Sequence, residues 1–435
     1  MREMKDGGVQ WIGEIPEKWA IVSTKFLFTI ISGATPESAK SENWDGNIRW
    51  ITPADYKTKD VYVAVGRRNL TQMGFDSCST NMVPTGSIIF SKRAPIGSVA
   101  INSADLCTNQ GCLSCINKGT SFVKFYYYVM SIATEQYELL GSGTTFKEIS
   151  AQSFSNFMLP VPSYEDQLAI SEYLDMKCAQ IDTLIANVQS QIEKLKAYKQ
   201  SLITEVVTKG LDPSVPMKNS GVDVYPSVPE HWNVQKTLTT LTMPITDGPH
   251  TTPELLSEGI PFVSAEAVSC GNGGIDFDHI RGFISREFYD ECSKKYVPQR
   301  DDIYMIKSGA TTGRVSVVDT DRIFTIWSPL AVFRCNPDVV HFRFLYYFLQ
   351  SSAYQRQVQF GWTYGTQQNI GMRTLERLKV FVPPLDEQYA ITECLDAKCI
   401  QIDHLIAIKQ AKIEKLEQYK QSLIYEYVTG KREVM

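Results

Sequence analysis

The chain has 435 residues, a formal net charge of −5, 43% hydrophobic and 21% charged residues, and 10 scattered cysteines. These values suit a folded multidomain protein in a reducing cytoplasm, the expected location, and exclude collagenous, low-complexity and disulfide-stapled classes. No apolar run reaches membrane-spanning length and no signal peptide is expected, so no membrane partner is expected either, while the acidic balance argues against a protein that grips nucleic acid by bulk charge alone.

The first block, residues 1–162, opens on Ile15-Pro16-Glu17-Lys18-Trp19 and then reads as short, β-rich runs. Residues 87–91 and 98–101 predict two strands around the connection Lys92-Arg93-Ala94-Pro95-Ile96-Gly97, and a helix is predicted over 122–140. Cys112-Leu113-Ser114-Cys115, with Cys107 nearby, has a metal-like spacing but lacks a second ligand pair, so no metal is expected.

Residues 163–210 predict one long helix. Its apolar positions Leu174, Cys178, Ile181, Ile185, Val188, Ile192, Leu195, Leu202 and Val206, with Lys199 among them, follow the alternating steps of four and three that define a coiled-coil seam. Leu184, Tyr198 and Ile203 widen the stripe, which predicts packing on a third surface. Glu165 and Asp166 suit the positive end of a helix dipole, and Gly210 stands where a helix should stop.

Residues 211–227, rich in Pro, Ser, Gly and Asn, read as a linker. A second block, 228–383, follows. Val228-Pro229-Glu230-His231-Trp232 answers the opening motif, and residues 302–306 and 314–318 answer the strand pair, around a connection from Lys307 to Gly313. A helix is predicted over 342–360. Residues 384–435 then repeat the long helix at a constant spacing of 221 residues. Pro162-Ser163-Tyr164-Glu165-Asp166-Gln167-Leu168-Ala169-Ile170 returns as Pro383-Pro384-Leu385-Asp386-Glu387-Gln388-Tyr389-Ala390-Ile391, and Gln180-Ile181-Asp182 returns as Gln401-Ile402-Asp403. Leu405, Tyr419 and Ile424 repeat the widening residues, and Gly430 repeats the stop.

The predicted fold class is therefore α+β: two pseudo-repeated α+β recognition domains separated by two long helices that form an antiparallel coiled coil. Antiparallel pairing follows from chain reach, since a 17-residue linker, at ~3.4 Å per residue, would barely return along a helix of ~65 Å. A framework held in duplicate while its loops diverge is how a scaffold carries two different recognition surfaces. No phosphate-cradling loop, dinucleotide fingerprint or amino-methylation loop occurs, so the chain is expected to be no enzyme.

This alternation of block, Pro-rich entry into a Gln-containing helix, second block and repeated helix resembles the specificity subunit of type I restriction–modification systems. The resemblance covers essentially the whole chain and rests most on residues 159–170 and 381–391, on the two Pro-Glu-x-Trp openings, and on Gly141 to Phe146. It implies two target-recognition domains, each reading one half of a bipartite sequence in double-stranded DNA. The helices set the spacing and dock two methyltransferase subunits, which motor–nuclease subunits can join. No cofactor is expected in this chain; S-adenosylmethionine belongs to the partner methyltransferase. The alternative is a bivalent adaptor on a coiled-coil spacer that binds protein or glycan instead of DNA.

On that reading the candidate DNA-binding residues are loop side chains with suitable chemistry. They are Thr52, Asp55, Tyr56, Arg67, Arg68, Lys92 and Arg93 in the first block, and Thr251, Thr252, Lys307, Ser308, Arg314, Tyr364, Gln367 and Gln368 in the second.

Overall fold

The two heptad stripes do form single helices, Tyr164–Lys209 and Leu385–Val428. The computed structural model describes residues 3–56, 61–143, 147–364 and 368–434, the side chains of residues 363 and 364 excepted. Candidate Gln367, the side chain of Tyr364, and residues 144–146 of the loop ahead of the first long helix lie outside this description. Two compact units divide the chain: Met1–Val188 with Ala411–Met435, and Gln189–Gln410. Each long helix therefore contributes one stretch to each unit.

Within both units the helices run antiparallel, as their contacts show. In the first, Lys420 Nζ lies 2.6 Å from Asp182 Oδ2, while the rings of Tyr173 and Tyr427 approach to 4.6 Å. In the second, Lys199 Nζ lies 2.6 Å from Asp403 Oδ2, and Lys409 donates to Gln191 Oε1 at 2.6 Å. Of the three lysines that interrupt the apolar seam, Lys199 and Lys420 are thus each answered by the aspartate that follows Gln-Ile in the opposite helix, and Lys409 by Gln191. Most other seam residues are buried, from Leu174 and Leu395 to Ile192 and Ile413. The widening residues divide: Ile203 and Ile424 are buried, whereas Leu184, Tyr198, Leu405 and Tyr419 stay exposed.

Both helices end at their predicted glycines, Gly210 and Gly430, with φ of 78° and 72°. This left-handed conformation suits a residue without Cβ. A Cβ on Gly430 would strike Pro16 and Trp19, and one on Gly210 would meet Glu387 and Trp232. The two Pro-Glu-x-Trp motifs therefore close the helix ends, and Trp232 donates its indole N–H to Glu387 at 3.0 Å. The linker carries a short strand. Met217–Asn219 pairs antiparallel with Ser227–Pro229, just as Met4–Asp6 pairs with Glu14–Pro16.

The repeat extends through the globular parts. The first unit has a three-stranded sheet in which the central strand Trp44–Ile51 pairs antiparallel with Arg68–Leu70 and parallel with Cys107–Thr108. The second builds the same sheet from Ile260–Val263, Gly282–Ile284 and Thr325–Ile326. Beside it lies a five-stranded sheet in the first unit and a four-stranded one in the second. The predicted strand pairs occur there as Ile88–Ser91 with Val99–Asn102 and Ile303–Ile306 with Val315–Val317.

Each predicted covering helix is broken in two: Val123–Ile132 and Thr134–Leu140, then Phe342–Gln350 and Ser352–Phe360. The second break has a side-chain cause. Ser351 Oγ donates to Phe348 O at 2.6 Å and accepts from Tyr354 N at 3.3 Å, ending one helix and capping the next.

Side chains from the repeated motif clamp each covering helix to its long helix. Gln167 accepts from Phe122 N at 2.8 Å and donates to Pro162 O at 3.1 Å; Gln388 accepts from His341 N at 2.8 Å and donates to Pro383 O at 2.8 Å. Asp175 accepts from Lys124 and Tyr128, both at 2.6 Å, and Asp396 accepts from Arg343 at 2.9 Å and Tyr347 at 2.6 Å. Burial and these carboxylates raise both tyrosine pKa values, so both phenols remain protonated donors.

Candidate nucleic-acid interface

Thr52 and Asp55 are placed by local structure. Their side chains form a capping box on the short turn Pro53–Asp55: Asp55 Oδ2 accepts from Thr52 N at 2.7 Å and from Thr52 Oγ1 at 2.8 Å. The Asp55 side chain is only 5% exposed, and its other oxygen accepts from Arg67 N at 3.3 Å. Asp55 thus holds two loops together. Tyr56 departs from the expectation of a surface residue. It is buried in the apolar cluster with Ile51, Val83, Ile89 and Leu106, its hydroxyl 3.3 Å from Cys112 Sγ, and burial drives its pKa well upward.

The predicted basic connections fold alike. Lys92 N donates to Gly111 O and Ile149 N donates to Lys92 O; in the second unit Lys307 N donates to Pro329 O and Ile370 N to Lys307 O. Gly309 N donates to Gln368 O at 3.0 Å, and Ser308 bridges to Asn369. Candidates Lys307, Ser308 and Gln368 are therefore neighbours, and the strand turn Thr363–Tyr364 to Gln368–Asn369 carries Tyr364 to the same place.

Their charges are largely answered from within. Lys92 Nζ lies 2.7 Å and Arg93 Nη1 3.3 Å from the two oxygens of Glu148. Lys307 Nζ lies 3.3 Å from Asp247, a carboxylate 1% exposed that also meets Lys295 at 2.6 Å and His250 at 3.2 Å. Sequence reading missed Asp247, Lys295 and His250, because they become neighbours only when strand Thr246–Asp247 enters the sheet. The exposed Thr251 and Thr252 follow His250 directly, on the loop that leaves this ion cluster. Arg314 stands apart, donating to Ser269 O at 3.2 Å.

Arg67 is 78% exposed, with its Nε 3.7 Å from Asp55. The guanidinium of Arg68 lies 3.8 Å from the centre of the Trp44 ring, and in the second unit Arg281 lies 3.8 Å from that of Trp327. Arg281 was not among the sequence candidates, since no Lys or Arg stands beside it in the chain. Register alone does not supply the signal: Trp50 faces Arg68, whereas the equivalent Phe262 faces Gly282, the residue after Arg281, and the two arginines are matched by the tryptophan ring each covers.

Burial pushes the Cys112 thiol up to about 12. Among the described residues no group of three metal-ligating side chains occurs, and no helix is long and apolar enough to cross a membrane.

Comparison with known proteins places this duplicated arrangement. The family described as "Type I restriction modification DNA specificity domain" matches residues 16–194 and 249–418. The chain is 31% identical over 232 residues to the type I restriction enzyme MjaIX specificity subunit of Methanocaldococcus jannaschii, a match that covers 52% of this chain and only about half, 52%, of that relative. It is 24% identical to the putative type I restriction enzyme MjaX specificity subunit of the same organism, over 97% of this chain and 95% of that one. A solved chain described as "Structural basis underlying complex assembly and conformational transition of the type I R-M system" superimposes with a TM-score of 0.68 at 16% identity, covering 95% of this chain and 98% of that one, which speaks to the fold.

Proposed function

The chain belongs to the type I restriction–modification DNA specificity family, and from that premise we propose that each unit reads one half of a bipartite target in duplex DNA, the chain itself catalysing nothing. The observation that carries this reading is the complete duplication: each unit owns its three-stranded sheet, its basic connection and its share of both long helices. Two copies of one scaffold with different loops suit a target of two unlike halves.

The proposal extends to partners. Each unit leaves large apolar side chains exposed on its helical stretches: Tyr164, Leu168, Met176, Leu184 and Tyr419 in the first, and Tyr198, Tyr389, Ile400, Leu405 and Ile408 in the second. Apolar surface of this extent on a helix face is a docking feature. Two matched faces suit two methyltransferase subunits, with motor–nuclease subunits joining that assembly in the cytoplasm. S-adenosylmethionine would then be held by the methyltransferase. The partners also answer the charge question, since a chain of net charge −5 reads base edges with few residues once other subunits supply phosphate contacts. A protein- or glycan-binding adaptor has no comparable support.

The test is methyl transfer from labelled S-adenosylmethionine to duplex DNA. Transfer is expected only when this chain and its methyltransferase partner are mixed, and only into a bipartite sequence. Transfer by this chain alone, or transfer by the partner with unchanged sequence preference in its absence, would overturn the reading.

A further inference from the structure

Arg68 and Arg281 are the top layer of one three-layer stack that occurs in both units. In the first unit, Arg68 lies 3.8 Å above the Trp44 ring, and Trp44 packs edge-on against Trp50 with ring centres 5.1 Å apart. In the second, Arg281 lies 3.8 Å above Trp327, whose ring lies 6.3 Å from Phe262. Trp50 and Phe262 are the same position of the central strand, since each faces a parallel partner (Cys107 or Thr325) on one side and an antiparallel strand on the other, one that contains Arg68 in the first unit and that Arg281 immediately precedes in the second. The indole comes from a different place in each unit. Trp44 begins the central strand, whereas Trp327 follows the parallel strand and donates its backbone N–H to Val263 O at 2.9 Å. Two different sequence solutions thus build one arrangement: an arginine whose guanidinium carbon lies at stacking distance over a tryptophan that packs on a central-strand aromatic.

Both arginines are exposed. Among the described residues neither forms an ion pair, in contrast with Lys92, Arg93 and Lys307, whose charges meet Glu148 or Asp247. A guanidinium stacked by its face keeps its in-plane N–H fork free, and the stack removes rotamer freedom before any ligand arrives. A fixed planar fork without a carboxylate matches the O6 and N7 acceptors of guanine in the major groove, which accept two parallel hydrogen bonds.

We propose that Arg68 and Arg281 are the guanine-reading residues of the two recognition domains, each fixing one G·C pair in its own half-site. The proposal rests on the DNA-reading function proposed above. Arg281 is the new member of the pair, and the shared stack assigns both residues one role.

The test uses the full chain assembled with its methyltransferase partner and a library of duplexes randomised across a bipartite site. The variants are Arg68→Lys, Arg68→Ala, Arg281→Lys and Arg281→Ala, with sequencing of the selected molecules. The unaltered protein is expected to select a guanine in each half. Each Lys variant keeps the charge but loses the planar fork, so preference for one guanine should fall roughly 5- to 150-fold in the half read by the altered domain, as expected for losing a bidentate guanine contact. The other half should be unaffected, and affinity for the best remaining sequence should fall less in the Lys variant than in the Ala variant. Thermal melting should be unchanged, because both side chains are exposed.

If the Ala variants weaken all sequences equally and flatten the salt dependence, with Lys restoring both, the arginines hold phosphate and the proposal is overturned. Unchanged selection by every variant overturns it too. An unaltered complex that selects no sequence at all refutes the underlying DNA-reading function instead, and the guanine assignment falls with it.

Discussion

Replacing Ile192 or Ile413 with Asp is expected to lower the stability of this protein by several kcal/mol at neutral pH. The two side chains are 2% and 6% exposed, on the seams of the first and second long helices. An aspartate there exchanges a packed β-branched side chain for a carboxylate with no assigned partner, and an unpaired charge placed in apolar surroundings ionises reluctantly. The introduced group should thus have a folded-state pKa above its unfolded value of about 3.9. The sign follows from linkage. Below the unfolded pKa the group is neutral in both states and only lost packing is felt; as pH rises towards the raised folded pKa, the unfolded state ionises first and the penalty grows. Melting at pH 5 and pH 8 should therefore show a larger deficit at pH 8. Methylation by the assembled complex should fail together with the melting transition. A variant as stable as the original at both pH values would mean that these positions do not form a seam.

Inserting one heptad into each long helix, after Leu195 and after Leu416, is expected to change target spacing while leaving target sequence alone. Seven residues restore every seam position, so the apolar stripe survives. Each helix grows by ~10 Å at 1.5 Å per residue. At about 3.4 Å per base pair, that matches roughly three additional base pairs between the half-sites. The same addition turns the second half-site by about a third of a helical turn, given 10–10.5 base pairs per turn. Weaker binding is therefore expected alongside the longer preferred spacer. Selection from duplexes with graded spacers reads both effects. Preference for the original spacer at full strength would show that the helices do not measure the distance.

Sequence alone disclosed what repeats and what is periodic. The constant 221-residue spacing exposed the duplicated helices, the heptad steps exposed their seam, and Gly210 and Gly430 marked their ends because φ near +75° selects against a Cβ. The seam lysines were harder to read. Lys199 and Lys420 look like interruptions until antiparallel pairing brings Asp403 and Asp182 to them. The same holds for Gln167 and Gln388, conspicuous as repeated residues but silent about the N–H groups of Phe122 and His341 that they accept from.

The site was less legible for a related reason. Residue type marks a side chain able to contact a base, but burial and charge pairing are decided by residues distant in the chain. Tyr56 sits in a polar-looking stretch, yet its ring completes an apolar cluster and its phenol faces Cys112. Lys307 is paired with Asp247, sixty residues earlier in the chain. Arg281 has no Lys or Arg beside it in sequence, and only its place over the Trp327 ring equates it with Arg68 over Trp44.

The account depends above all on two recognition domains that read independently, and domain exchange measures this directly. Residues 16–162 would be replaced by the matching block of a relative with a different target, the chain assembled with its methyltransferase partner, and the methylated members of a random duplex library sequenced. The account predicts that one half-site changes to the donor's sequence while the other half-site and the spacer stay as they were. A change in both half-sites at once would contradict it.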